Sequence, residues 1–218
     1  MAFDFDNGNR QEKRKNRLVR LAIWIVEIAV AILLGFLVIQ FGFQKIKMYG
    51  ESMSPTLIEN DSIMVNKIDY RFSSPKRGDV IVFKQSGQEH SYYNVKRVIG
   101  LPGETIEIKD GLVYIDGVKN KEVVEVEEIT NSGLAATPYK LEDGEYFVLG
   151  DNRNSSVDSR FASFGTVVKD DIIGKAWIRM NKFAFIGNLN RRKEVEETET
   201  PSATPIGGIT VSPTPEAK

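Results

Sequence analysis

The stretch TIEIKDGLVYIDG, residues 105–117, decides the fold class of this chain. Two short runs, TIEI and LVYI, carry the β-branched and aromatic residues that are common in strands, and KDG at 109–111 separates them with a hairpin signal. IDG at 115–117 repeats that signal directly after the second run. Because such tight turns join neighbouring antiparallel strands, the stretch predicts an antiparallel β structure.

Similar runs lie on both sides of this hairpin, so residues 45–185 are predicted to form the folded part of the chain. Each run is rich in β-branched or aromatic residues and is bounded by Gly, Pro, Asp or Asn, as strands are. No long amphipathic helix interrupts them, which predicts a mainly β fold with antiparallel pairing. The further predicted strands are SIMVNKI (62–68), GDVIVFKQ (78–85), YYNVKRVIG (92–100), KEVVEVEEI (121–129), GEYFVLG (144–150) and DIIGKAWIRM (171–180).

A long apolar segment precedes the predicted strands. LAIWIVEIAVAILLGFLVIQF, residues 21–41, has Glu27 as its only charge and would span about 31 Å as a helix, which matches one hydrocarbon core. It lacks the polar stripe that a buried soluble helix of this length would show. A cleaved signal peptide would have a shorter apolar region and then a small-x-small site, which FGFQKIKMYG (41–50) does not offer. We therefore predict an uncleaved transmembrane signal-anchor helix.

The charges around this segment predict its orientation. Six cations lie within residues 10–20, whereas only two lysines follow the span closely. The positive-inside rule places residues 1–20 in the cytosol as a basic N-terminus and residues 42–190 outside as an extracytoplasmic β-domain. Residues 191–218 form a Thr/Pro/Glu-rich tail that we predict to be disordered, because it has no aromatic residue and is too polar to bury a core.

Composition removes several classes of function. The 218 residues include no cysteine and one histidine, which excludes disulfides, thiol nucleophiles, cysteine zinc sites and HExxH metalloproteases. The chain has 29 Lys and Arg against 30 Asp and Glu, a net charge of −1, which argues against nucleic acid as its main partner. A serine hydrolase built on this chain would need either the lone His90 or a lysine as its base.

Ser52 is a candidate nucleophile. It lies in GESMSPTL (50–57), where glycine permits unusual backbone angles and proline prevents regular structure, so the serine is held on an irregular turn. An ordinary Ser/Pro turn fits the same segment. His90 is one candidate base, although a lone histidine in a polar stretch is usually a surface residue. Lys96 is the other candidate base.

Lys96 lies in the apolar strand YYNVKRVIG, where alternation places it on one face with Asn94 and Val98. Burial among apolar side chains lowers a lysine pKa by up to ~3–5 units, and a neutral amine can accept a serine proton. The alternative interpretation is a lysine that extends from a half-buried strand to water.

A polar loop, GDNRNSSVDSR (150–160), directly follows the predicted strand YFVL. Loops on a rigid sheet commonly carry function. An Asx-turn-rich connection or a weak cation loop is the alternative. The spacing does not fit an EF-hand, because no glutamate stands at the twelfth position.

Four motifs occur in order behind the predicted anchor. They are GESMSPTL (50–57), RGDVIVF (77–83), NVKRVIGLPGE (94–104) and GDNRNSSVDSR (150–160). Together they resemble bacterial type I signal peptidases, membrane-bound serine proteases with a Ser/Lys dyad, in the Gram-positive-like single-span form. The resemblance implies a signal-peptidase/LexA-like antiparallel β-sheet domain. It also implies a single-pass protein that removes N-terminal signal peptides from secreted preproteins at the outer face of the cytoplasmic membrane, through an acyl-enzyme.

The resemblance also implies roles for individual residues. Ser52 is the expected nucleophile and Lys96 the expected general base, while the Ser156 hydroxyl is expected to orient the lysine amine. The Ser52 backbone N–H is the expected oxyanion donor, and Gly50 stands where some members carry a serine that supplies a second donor. The expected supporting charges are Asp158, Arg160, Arg97 and Asp151, and the expected pocket residues are Met48, Met53, Leu57 and Val95.

The implied partners are signal peptides with an A-x-A-like cleavage site, the lipid bilayer and the secretion translocon, with no metal, cofactor or nucleic acid. A self-cleaving repressor of related β fold would need a DNA-binding helix-turn-helix where this chain has its apolar segment. A membrane-anchored, non-enzymatic β-domain of the cell envelope needs no serine or lysine in fixed motifs. That reading predicts that Lys96→Arg leaves all function intact.

Overall fold

The computed structural model describes residues 5–84 and 93–189. His90 and the predicted disordered tail lie outside the described residues, so those two predictions are not addressed by the fold.

The N-terminal apolar segment forms a helix, as predicted. Helix α1 extends over Phe5–Gly42 and is therefore longer than the predicted 21–41, because the preceding basic segment consists largely of good helix formers such as Arg, Lys and Gln. Within it, Arg14–Gly42 is long and apolar enough to cross a membrane, and its most apolar window is not buried against any described part of the protein. This exposed apolar surface fits contact with a membrane.

Short strands follow the helix, together with the one-turn helix α2 at Asp69–Phe72. The strands are β1 Phe43–Lys47, β2 Ser62–Asn66, β3 Val80–Phe83, β4 Asn94–Gly100, β5 Thr105–Lys109, β6 Leu112–Ile115, β7 Val118–Lys119, β8 Tyr139–Lys140, β9 Glu145–Leu149, β10 Val167–Val168, β11 Ile172–Arg179 and β12 Ala184–Phe185. Every pairing between them is antiparallel, so the predicted mainly β class is confirmed.

The strands form two sheets. The larger sheet has the order β1-β2-β11-β3-β4-β9-β10, with β12 added to β11, and the smaller sheet has the order β7-β6-β5-β8. Strand β11 lies between β2 and β3 although it comes about a hundred residues later. Its Ala176 pairs with Val65 of β2, and its Lys175 pairs with Ile81 of β3.

Both predicted tight turns are present in the smaller sheet. Asp110 and Gly111 have φ angles of 49° and 73°, and they join Lys109 to its cross-strand partner Leu112. Asp116 and Gly117 repeat this left-handed pair between β6 and β7. These backbone angles explain why Asp-Gly dipeptides stand at both places.

The predicted strand at 121–129 is wrong. This segment runs as irregular coil with a single β-bridge at Val124. Val124 and Ile129 are buried, while Glu122 forms an ion pair with Arg153 at 2.8 Å. The buried apolar residues thus hold this connecting segment against the domain. The segment has the residue types of a strand, but no neighbouring strand pairs with most of it.

Strand β4 is central to the larger sheet, between β3 and β9. Its Val95 packs in one apolar cluster with Val80 and Val82, on one face of the sheet. Val98 packs in a second cluster with Ile81, on the opposite face. Because β4 is covered on both faces, a polar side chain on it is removed from water.

Candidate active site

The turn that carries Ser52 is anchored by apolar side chains on either side of its proline. Met53 and Leu57 are both 0% exposed and pack in the cluster that also holds Val95. The Leu57 N–H donates to the Met53 carbonyl at 2.9 Å, which closes the turn. Gly50, two residues before the serine, has a φ of 73°, which a residue with a side chain rarely adopts. Ser52 itself is half-buried.

Ser52 and Lys96 line the same cleft, which has a volume of about 250 Å³. Two of the predicted pocket residues, Met48 and Val95, also line it, whereas Met53 and Leu57 are buried in the core and do not line it. The remaining lining residues are Tyr49, Tyr93, Asn94, Val157 and Phe164. Of these, Asn94 and Val157 lie inside the motifs NVKRVIGLPGE and GDNRNSSVDSR, so their positions in the sequence are usable signals.

Lys96 is desolvated by the sheet around it. It pairs with Ile81 across β3 and shares that face with Val98, as strand alternation predicts. Only 5% of its surface is exposed, and this burial is the main cause that lowers its pKa from 10.5 to about 8. The Arg160 cation lowers the pKa further, while the carboxylates of Asp158 and Asp151 oppose the shift. Desolvation is the larger effect, so a sizeable fraction of Lys96 is neutral in mildly alkaline solution.

Ser156 is buried, and among the described residues its hydroxyl has no hydrogen-bond partner. An unpaired buried hydroxyl is costly, and such groups are characteristic of functional positions. It lies against the first residue of its loop, because a Cβ on Gly150 would come within 2.3 Å of Ser156 Oγ.

Gly150 is the point at which the polar loop (150–160) contacts the turn that carries Ser52. A Cβ there would also come within 2.4 Å of the Ser52 carbonyl oxygen, so only glycine allows the loop to approach the serine turn. The Asn152 N–H donates to that same carbonyl at 3.1 Å. Gly150 lies in the motif GDNRNSSVDSR, but its role cannot be predicted from the sequence, since a close approach between distant segments leaves no local pattern.

A buried ion pair joins the polar loop to β4. Arg97 donates to both oxygens of Asp151, at 2.7 and 2.6 Å, and to the Gly78 carbonyl at 2.7 Å. Thr56 Oγ1 donates to the same carboxylate at 2.5 Å. Arg97 and Asp151, which were expected as separate supporting charges, are thus in direct contact, and Thr56, which the sequence did not single out, links them to the serine turn.

A second buried ion pair shapes the loop itself. Arg160 donates to both oxygens of Asp158, at 2.7 and 3.0 Å, and to the Arg153 carbonyl at 2.5 Å. The same carboxylate accepts the Gly150 N–H at 3.0 Å. Because Gly150 contacts both Ser52 and Ser156, this pair fixes the loop at its point of contact with the site.

The backbone at Ser52 can accommodate a developing negative charge. Among the described residues, the Ser52 N–H donates to no protein acceptor, while its carbonyl is held by Asn152. A preorganised N–H of this kind stabilises an oxyanion without rearrangement. The described residues also contain no cluster of three or more His, Cys, Asp or Glu suited to a metal ion.

Comparison with known proteins places this site in a family. The model of the family "Signal peptidase, peptidase S26" matches residues 21–181, which include all of the site. The chain belongs to the S26 signal peptidase family. It is therefore a serine-type endopeptidase and a hydrolase.

The alignments with bacterial signal peptidases extend over most of this chain. It is 38% identical over 170 residues to signal peptidase I P of Bacillus subtilis subsp. natto, a match that covers 75% of this chain and 90% of that protein. It is 35% identical to signal peptidase I T of Bacillus subtilis strain 168, covering 82% and 92% of the two chains. Signal peptidase IB of Staphylococcus aureus strain Mu50 is 35% identical, with 77% and 93% covered.

Proposed function

We propose that this protein removes N-terminal signal peptides from secreted preproteins, with Ser52 as the nucleophile and Lys96 as the general base. The observation that carries the proposal is the placement of a half-buried serine and a desolvated lysine, whose pKa is about 8, on one cleft. The names of the relatives supply the substrate class. Neither a metal nor a cofactor takes part in the proposed reaction.

The first step forms an acyl-enzyme. Neutral Lys96 Nζ takes the proton of Ser52 Oγ, and the oxygen attacks the carbonyl carbon of the scissile peptide bond. The negative charge on the substrate oxygen is stabilised by the Ser52 N–H. The C–N bond then breaks, and the Lys96 ammonium returns its proton to the leaving amine, which is the new N-terminus of the mature protein.

The second step frees the signal peptide. Lys96, again neutral, takes a proton from a water molecule that attacks the acyl carbon, and the Ser52 oxygen leaves with that proton restored to it. Ser156, whose buried hydroxyl has no partner among the described residues, is the group available to orient the lysine amine. The ion pair of Asp158 with Arg160 holds the polar loop in shape, and the ion pair of Arg97 with Asp151 holds that loop against β4.

The cleft favours small side chains next to the scissile bond. Its volume of about 250 Å³ is shared by the reacting groups and the substrate, and Met48 and Val95 supply apolar walls. A cleft of this size suits the alanine-sized residues of an A-x-A-like cleavage site better than large side chains. Met53 and Leu57 are buried in the core and would anchor the serine turn rather than line the cleft.

The membrane arrangement completes the proposal. Helix α1 would anchor the protein in a single pass, with the basic segment at 1–20 in the cytosol and the β-domain at 42–190 outside. Signal peptides of translocating preproteins emerge at that outer face, beside the lipid and the secretion translocon.

The test is cleavage of a signal-bearing precursor by the detergent-solubilised full chain. We expect mass spectrometry to locate one cut after an A-x-A-like site. Ser52→Ala and Lys96→Met should each abolish this cut, since either change removes one half of the proton transfer. Near-normal cleavage by either variant would show that the assignment of Ser52 and Lys96 is wrong.

A further inference from the structure

The membrane helix and the catalytic domain are joined without a spacer. Helix α1 ends at Gly42, and strand β1 begins at the next residue, Phe43. A flexible linker of small polar residues is the usual connection between an anchor and a domain that moves independently. Its place is taken here by a helix that passes directly into a sheet.

Two contacts hold the last helical residue against the domain. The Lys67 N–H donates to the Gly42 carbonyl at 2.8 Å. A Cβ on Gly42 would come within 2.4 Å of Ile68 Cδ1, so the absence of a side chain lets Ile68 pack directly on the helix end. Gly42 is buried in this contact, which we call the joint.

Backbone hydrogen bonds hold most of the segment between the joint and Ser52 in place. Strand β1 pairs along its whole length with β2, from Phe43 opposite Asn66 to Lys47 opposite Ser62. The next residue, Met48, is 2% exposed and forms backbone hydrogen bonds to Asp61 and Asn60 at 2.8 and 3.0 Å. Only residues 49–51 separate this ladder from the serine.

The length of the segment between Gly42 and Ser52 shows how strongly strand β1 restricts the position of the serine. Ser52 lies ten residues after Gly42, and a free segment of that length could reach up to about 36 Å in any direction. The five residues of β1 instead extend about 16 Å along one fixed line. The position of the nucleophile relative to the helix end is therefore set by the sheet.

We propose that the joint of Gly42 with Ile68 acts as a ruler, which selects the cleaved bond of a membrane-inserted substrate by its height above the bilayer. This inference rests on the proposed function, because it requires α1 to be the anchor and Ser52 the nucleophile. A substrate whose apolar segment sits in the same bilayer presents only one stretch of backbone at the height of the cleft. Gly42 and Ile68 are thus positioning residues that contact neither the substrate nor the reacting groups.

The test compares a membrane-inserted precursor with a short soluble peptide. The full chain is reconstituted into phospholipid vesicles with a precursor that carries two A-x-A sites, one lying about 7 Å (two extended residues) farther from its apolar segment. A Gly-Ser pair inserted between Gly42 and Phe43 loosens the joint and leaves the β1–β2 ladder intact. We expect the ratio of the two cuts to change by about tenfold or more, with the rate on the soluble peptide preserved within about twofold.

Two further variants make the test specific. The same Gly-Ser pair inserted after Gly117, in a turn of the smaller sheet, should leave both the ratio and the rate unchanged. Gly42→Ala should shift the ratio, because its Cβ collides with Ile68, and Ile68→Ala in the same chain should restore it. This second pair decides the question if the insertion variant fails to fold.

The inference is overturned if the loosened joint and Gly42→Ala both keep the normal ratio of cuts on the inserted precursor. Failure of the proposed function looks different, because the unmodified chain would then cut neither the precursor nor the soluble peptide. A change confined to the inserted precursor supports the ruler.

Discussion

Thr56 Oγ1 donates a 2.5 Å hydrogen bond to Asp151 Oδ2, across 95 residues of sequence. The accepting carboxylate also binds Arg97 through both of its oxygens. One hydroxyl therefore connects the turn that carries Ser52 to the strand that carries Lys96. Charge-assisted hydrogen bonds of this kind are short and about twice as strong as neutral ones.

Replacing this hydroxyl should loosen the site. Thr56→Val keeps the shape of the side chain but leaves the buried carboxylate with one partner fewer, which costs about 1–3 kcal/mol of stability. We expect kcat/KM on a signal-peptide substrate to fall with little change in KM, because the serine turn loses its tie to β4. Thr56→Ser, which keeps the donor, is the matched control, and equal activity of the Val and Ser variants would contradict the prediction.

The pH dependence of cleavage should follow Lys96. Its amine must be neutral to accept a proton, and its pKa is about 8, so kcat/KM should rise with pH and level off above that value. Below the midpoint the rate should fall about tenfold per pH unit. A rate profile measured from about pH 6 to about pH 10 checks this. A flat profile would exclude Lys96 as the base.

Lys96→Met should make an inactive protein that is more stable than the parent at neutral pH. The folded pKa of about 8 lies below the value of 10.5 for a free lysine, so the unfolded chain binds more protons between these two values. Stability of the parent therefore rises as pH increases through that window. The advantage of the Met variant should be greatest below pH 8 and should vanish above 10.5, which thermal unfolding in detergent can measure.

Gly150→Ala should impair catalysis. The added Cβ would collide with Ser156 Oγ and with the Ser52 carbonyl, so the loop or the serine turn must move. A displacement of about 1 Å in an active site can reduce the rate about a hundredfold. Gly187→Ala is the control, because a Cβ there meets nothing within 4 Å. Similar kcat/KM values for the two variants would contradict the prediction.

The two charges of the Asp158–Arg160 pair should move the pH profile in opposite directions. Asp158 raises the pKa of Lys96 and Arg160 lowers it. Asp158→Asn should therefore shift the midpoint of the kcat/KM profile to lower pH, and Arg160→Gln should shift it to higher pH. Both variants lose stability, since each leaves a buried charge without its partner. Shifts of the same sign would show that the loop's collapse, rather than its charge, controls the site.

Local patterns predicted much of the fold. The Asp-Gly turns, most of the strands and the placement of Lys96 with Val98 on one face followed from strand alternation and turn chemistry. These features depend only on neighbours along the chain. Strand β1 was not predicted because its sequence, FQKIK, is short and charged. Its one buried residue, Ile46, packs in a core cluster whose other members are distant in the sequence.

The roles of Thr56 and Gly150 could not be predicted because both depend on contacts between distant segments. Thr56 lies far along the chain from its acceptor, and Gly150 is required by a carbonyl in another loop. The segment at 121–129 has the residue types of a strand, yet no strand lies beside most of it. Motif resemblance brought Ser52 and Lys96 together as an expectation, and their catalytic roles remain predictions to be tested by substitution.

The position of β11 has a consequence for synthesis. The serine turn belongs to the side of the sheet formed by β1 and β2, the lysine belongs to the side formed by β3 and β4, and β11 lies between the two sides. A nascent chain that has emerged only as far as residue 160 contains the proposed catalytic groups Ser52, Lys96 and Ser156 but lacks β11. Residues 172–179 must be synthesised before β2 and β3 can be joined in one sheet, so we expect a chain that ends at residue 160 to be inactive.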